Sequence, residues 1–146
     1  MSQESFGNPD FQPPEVILEA VLYCDDLEAA GAFYEKVIGL TLSSCEPDRH
    51  RFYQMKYGML LLFRASATRS QAIEVNGRLI PKHGTTGSGH LAFAVDIESQ
   101  NAMRERLARA GIKLESEIKW PSGGESIYCR DPAGNSIEFA TPELWY

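Results

Sequence analysis

The chain has 146 residues, of which 14 are basic and 20 acidic, for a net charge of −6, and 43% are hydrophobic. That length buries enough surface to fold without disulfides or metals. The lack of any basic run argues against nucleic acid or an anionic membrane surface as a partner.

The opening stretch, "MSQESFGNPDFQPPE", is polar and Pro-containing, so residues 1–15 are expected to form a loose tail. No later segment is apolar enough for long enough to span a bilayer. Cys24, Cys45 and Cys129 are odd in number and share no CxxC spacing. They suit small buried hydrophobes in a reducing compartment better than a disulfide framework, so the expected location is the cytoplasm.

In "VILEAVLY" (16–23), branched and apolar residues predict a strand. Asp25, Asp26 and Glu28 then supply an N-cap and an acidic first turn. Leu27, Ala30, Phe33, Tyr34, Val37 and Ile38 recur at helical spacing up to Gly39, a left-handed stop. Strand-like runs follow at 40–45, 51–56 and 59–63, the last two joined by a turn at Tyr57-Gly58. Residues 65–88 read as a connecting loop.

The stretch "GHLAFAVD" (89–96) opens a second round, with Asp96 capping a helix that carries Ile97, Met103, Leu107 and Ala110 and ends at Gly111. Strands at 112–120, 125–130 and 136–140 complete it. The expected fold is therefore α+β: two βαβββ modules, residues 16–64 and 89–142, whose curled mixed sheets surround a cup-shaped cavity.

Aligning the two rounds places Glu19 over His90 and Leu61 over Glu138. Three of these four equivalent positions carry side chains able to hold a metal. Strand alternation puts 17, 19, 21 and 23 on one face, His90, Ala92 and Ala94 on another, and Ser136, Glu138 and Ala140 on a third. The bulky faces should pack on the helices, leaving the polar ones to line the cup. Three unpaired ionisable groups facing one cavity would be costly without a cation. One imidazole and two carboxylates form a hard, anionic donor set, suited to Mn²⁺, Fe²⁺, Ni²⁺ or Mg²⁺ more than to a structural Zn²⁺.

The segments "LYCDDLEAAGAFYEKVIGL", "GHLAFAVD" and "YCRDPAGNSIEFATP" resemble the vicinal oxygen chelate superfamily, the group of glyoxalase I, fosfomycin-resistance proteins, bleomycin-binding proteins and extradiol dioxygenases. The resemblance covers residues 16–142. It implies that His90 and Glu138 are metal ligands, and that Glu19 occupies a ligand position where histidine is often found. Leu61 stands where some members have a fourth ligand. The implied activity is that of a lyase, isomerase, transferase or dioxygenase, with one divalent metal binding adjacent oxygens of a small-molecule substrate and Glu138 doubling as the catalytic carboxylate. A metal-free protein that sequesters a small molecule is the alternative. Resemblance to the dimeric members also implies a homodimer with sites shared between chains.

Tyr23, Tyr53, Arg64, Trp120 and Tyr128 are candidates to line the substrate site, although packing accounts for the aromatics equally well. His50 and His83 fall in loops or at strand edges and read as solvated, with His83 a reserve ligand or base. The "GTTGSG" stretch lacks the Lys-Ser/Thr sequel and the preceding strand of a nucleotide loop.

Overall fold

The computed structural model describes residues 7–146. Of the expected tail, residues 1–6 lie outside the described residues and 7–15 hold no helix or strand. Strand β1 spans Glu19–Tyr23, three residues shorter at its start than the apolar run. The reason lies in its partner, β4 (Met59–Phe63), which begins opposite Glu19: the Leu18 carbonyl still accepts from the Met59 N–H at 3.0 Å, but Val16 and Ile17 have no ladder to join, and all three side chains stand exposed.

Asp26 caps helix α1 (Leu27–Gly31), its carboxylate accepting from the Ala29 N–H at 3.0 Å. The helix runs on as a π-helical segment, Ala32–Ile38, and stops at Gly39 with φ +90°. Nothing in the residue pattern marks the π widening. Strands β2 (Thr41–Glu46) and β3 (His50–Gln54) complete a four-stranded sheet in the order β1-β4-β3-β2.

The connecting segment is not a bare loop. It folds into a short helix, α2 (Ala65–Ser70), and a hairpin of β5 (Ile73–Val75) and β6 (Arg78–Ile80). Asn76 and Gly77, both at positive φ, make the hairpin turn. This Asn-Gly pair is the short-range signal for such a turn, and the reading of 65–88 as a loop overlooked it.

The second round repeats the first: β7 (His90–Ala94), α3 (Ile97–Arg109), β8 (Ser116–Lys119), β9 (Glu125–Arg130) and β10 (Ser136–Ala140), with sheet order β7-β10-β9-β8. Asp96 caps α3 by accepting from the Ser99 N–H at 2.7 Å. Met103 and Leu107 are buried as expected, but Ile97 is exposed, and the buried stripe takes in Gln100 instead. The Gln100 amide donates to the carbonyls of Glu125 and Phe139, so its burial fastens helix to sheet.

The two sheets are register-equivalent. Glu19 pairs with Met59 and Val21 with Leu61 across β1 and β4, as His90 pairs with Ser136 and Ala92 with Glu138 across β7 and β10. The inner faces merge into one core containing Leu22, Leu60, Leu62, Ile127, Ile137 and Phe139, covered by Leu27, Phe33 and Tyr34 from the first helix and Met103 and Leu107 from α3. The opposite faces remain open: Glu19, Val21, His90, Ala92 and Ala94 are exposed. The sheets curl without closing into a barrel.

A buried polar clamp joins the rounds. The Tyr34 hydroxyl donates to Asp131 at 2.7 Å, while Asn135 donates to the Tyr23 carbonyl and accepts from the Gly89 N–H. Burial and the neighbouring Asp131 carboxylate together push the Tyr34 phenol far above its ordinary range. The clamp therefore works with a neutral tyrosine donor.

Candidate functional site

His90 opens β7 on the exposed face, and Glu138 sits at the centre of β10, only 5% exposed. In register Glu138 is opposite Ala92, so His90 is its diagonal neighbour, and the small Ala92 leaves the imidazole room to lean across. His90 Nε2 lies 3.2 Å from Glu138 Oε2. The other ring nitrogen, Nδ1, is 3.0 Å from the Ser136 carbonyl oxygen. A carbonyl can only accept, so this bond puts the proton on Nδ1. Nε2 then faces the carboxylate oxygen, where either a second ring proton or a shared cation bridges the two atoms. A backbone carbonyl orienting the far nitrogen is the arrangement that metal-ligating histidines use.

Tyr128 completes this cluster. It lies opposite Glu138 in the β9–β10 hairpin, and its hydroxyl donates to Glu138 Oε1 at 2.8 Å. Burial, and then the bond to Glu138, raise the phenol pKa above its ordinary value, so Tyr128 stays a neutral donor. One carboxylate oxygen is thus fixed, and the other faces the imidazole. Beside them, Trp120 Nε1 donates to the Ser126 hydroxyl at 2.8 Å.

The remaining predicted residues separate. Glu19 is exposed on β1, in the other sheet. Among the described residues, no group of three His, Cys, Asp or Glu side chains is placed to hold a metal within the chain. Tyr53 is fully buried on the helix side of β3. Its ring lies 6.0 Å from that of Tyr34, and its hydroxyl donates to Glu35 at 3.1 Å. It is a core residue rather than a cavity wall, because the alternation of β3 gives the outer face to Phe52. Arg64 is solvated and lies 3.8 Å from an almost fully exposed Asp48.

The histidines read as solvated are not. His50 stacks on Phe52 with ring centroids 3.9 Å apart, and burial lowers its pKa below the usual histidine range. His83 is half-buried, with Nδ1 2.6 Å from the Tyr23 hydroxyl and its ring edge-on to Phe63. A cavity of about 410 Å³ borders Tyr23 but includes neither His90 nor Glu138. This cavity and the His90–Glu138 pair therefore lie at different places in the chain.

Sequence reasoning placed Tyr128 only as a possible wall. The hairpin offered more: with a tight turn at 131–135, Tyr128 has to face Glu138. The Tyr23–His83 pair carried no such signal, because residue 83 belongs to neither repeat.

Comparison with known proteins agrees with this architecture. The model of the Glyoxalase/Bleomycin resistance protein/Dioxygenase superfamily matches residues 16–139. A search of curated proteins gave no significant match. Among solved structures, a lactoylglutathione lyase from Agrobacterium tumefaciens is 38% identical with a TM-score of 0.84, over 92% of this chain and 98% of that one. A glyoxalase-related enzyme from Fulvimarina pelagi is 28% identical with a TM-score of 0.67, over 91% and 92%. A glyoxalase/bleomycin resistance protein/dioxygenase from Nocardioides is 26% identical with a TM-score of 0.67, over 90% and 86%.

Proposed function

The chain belongs to the Glyoxalase/Bleomycin resistance protein/Dioxygenase superfamily, and from that premise we propose that it is a divalent-metal-dependent enzyme of glyoxalase type. It would act on a small molecule that presents two adjacent oxygens. The observation that carries this reading is the convergence of His90 Nε2 and Glu138 Oε2 at 3.2 Å.

The donors fit a divalent cation: one imidazole whose far nitrogen is fixed, and one carboxylate fixed through its second oxygen. His90 and Glu138 would hold the ion, and Glu19 of a second copy of the chain would complete the set in a homodimer. Such an ion, when bound, supplies Lewis acidity toward adjacent substrate oxygens. Tyr128 holds Glu138 Oε1, which leaves Oε2 to face the ion. The lyase activity in the name of the Agrobacterium relative makes a lyase the first reaction class to assay.

A second reading rests on a specific observation. Among the described residues, His90 and Glu138 meet without a third His, Cys, Asp or Glu beside them, and a protonated His90 would pair with Glu138 as a plain ion pair. That suits a metal-free protein that sequesters a small molecule. Titration calorimetry of metal-stripped protein with Mn²⁺, Fe²⁺, Ni²⁺ and Zn²⁺ at neutral pH separates the two. Uptake near one ion per chain, abolished by Glu138→Ala, supports the enzyme, and no uptake of any of the four supports the binding protein.

A further inference from the structure

Where the two rounds meet, a cavity of about 410 Å³ opens between the end of β1, helix α2, the segment 85–88 and the turn between β9 and β10. This is the size range of small-molecule sites. Its polar lining includes Tyr23, Asp25, Arg69, Thr85, Thr86 and Ser88.

The walls are built. Gly84 has φ +149°, and a Cβ there would come within 2.6 Å of Arg69 Cγ and 2.9 Å of the Ala65 carbonyl oxygen. The backbone of residue 84 thus presses on the aliphatic stem of Arg69, which only glycine permits. The His83 N–H donates to the Thr68 carbonyl at 3.3 Å, and the His83 ring fixes the Tyr23 hydroxyl. On the far side, Asp131 holds the turn through the N–H groups of Ala133 and Asn135.

The charges on these walls are opposite and uncommitted. Among the described residues, neither Arg69 nor Asp25 forms a side-chain ion pair or hydrogen bond. Asp26 also borders the cavity, but its carboxylate caps the first helix. A simple anion drawn to Arg69 would meet two aspartates, and a simple cation drawn to Asp25 would meet a guanidinium. A molecule carrying both signs satisfies both walls, with hydroxyls between them for its amide or carbonyl groups.

We propose that this cavity binds a zwitterion of amino-acid or short-peptide type, its carboxylate at Arg69 and its ammonium at Asp25. The site is separate from His90 and Glu138 and does not depend on the metal reading.

The test is a titration of the ¹⁵N-labelled full chain with L-alanyl-L-alanine, followed by amide shifts. N-acetyl-L-alanine, which has only the negative charge, and L-alanine amide, which has only the positive one, serve as comparators. The proposal expects saturable shifts centred on Tyr23, Arg69 and residues 85–88 with the dipeptide, and weaker binding of both comparators. Arg69→Gln and Asp25→Asn, both surface changes whose folding is checked by melting curves, should each weaken dipeptide binding about tenfold. Glu138→Ala should leave it unchanged, which separates this site from the metal reading. The proposal is overturned by no saturable shift at about 50 mM dipeptide, a concentration that nearly fills a site of millimolar Kd. It is equally overturned if a comparator binds as well as the dipeptide, or if both charge variants bind it normally.

Discussion

Tyr128 and Glu138 face each other across the β9–β10 hairpin, the phenol donating to Oε1 at 2.8 Å while the imidazole of His90 faces Oε2 at 3.2 Å. Tyr128 therefore sets which carboxylate oxygen is available. Tyr128→Phe keeps the ring and removes the donor, so Glu138 should lose its orientation but not its place. Metal affinity should fall about tenfold, the usual cost of removing a group that orients a ligand. Calorimetry on both proteins measures the difference, and equal affinities would show that the hydroxyl has no orienting role.

Leu61 occupies in the first sheet the register position of Glu138 in the second, with Phe52 opposite where Tyr128 would be. It is only 7% exposed. Leu61→Glu should destabilise the metal-free protein by about 2–4 kcal/mol, because the new carboxylate has no tyrosine donor. If Leu61 faces the shared site, added Mn²⁺ should recover part of that loss. Melting curves with and without the ion report it, and a loss that metal leaves untouched would place Leu61 outside the site.

The buried thiols set a pH limit. Burial pushes Cys24 up to about 12 and Cys129 up to about 11, from ordinary values near 9, with nearby carboxylates adding to both. These groups favour the protonated form in the folded state, so their contribution is complete below pH 9. It is lost as pH rises, because the unfolded chain releases protons that the folded chain keeps. Thermal stability should therefore decline from pH 9 toward 11. At pH 8, a thiol reagent should label Cys45, which is exposed, and spare Cys24 and Cys129 until the protein is denatured. Labelling followed by mass spectrometry checks this.

Much of the architecture was legible because the two rounds are regular. Asp26 and Asp96 start their helices and Gly39 stops the first where their chemistry requires, and β4, β9 and β10 have the bounds that the residue pattern predicts. Register equivalence of Glu19 with His90, and of Leu61 with Glu138, followed from subtraction alone. Features that depend on packing between distant segments were less legible. Tyr53 carried no mark of which side of β3 it would take until Phe52 and Leu61 were paired. Helix α2 and the β5–β6 hairpin lie outside the repeat, so no second copy flagged them, and with them went the burial of His83. The π segment Ala32–Ile38 has no composition of its own to announce it.

The central claim is that one divalent ion is held by His90 and Glu138 of one chain and by Glu19 of another. Glu19→Ala and Glu138→Ala should each abolish metal binding in homodimers. After the two are refolded together at random, about half of the dimers are mixed, and each mixed dimer has one site with all three ligands intact. About a quarter of the wild-type metal content should return. Verified mixed dimers that bind no metal would contradict that claim.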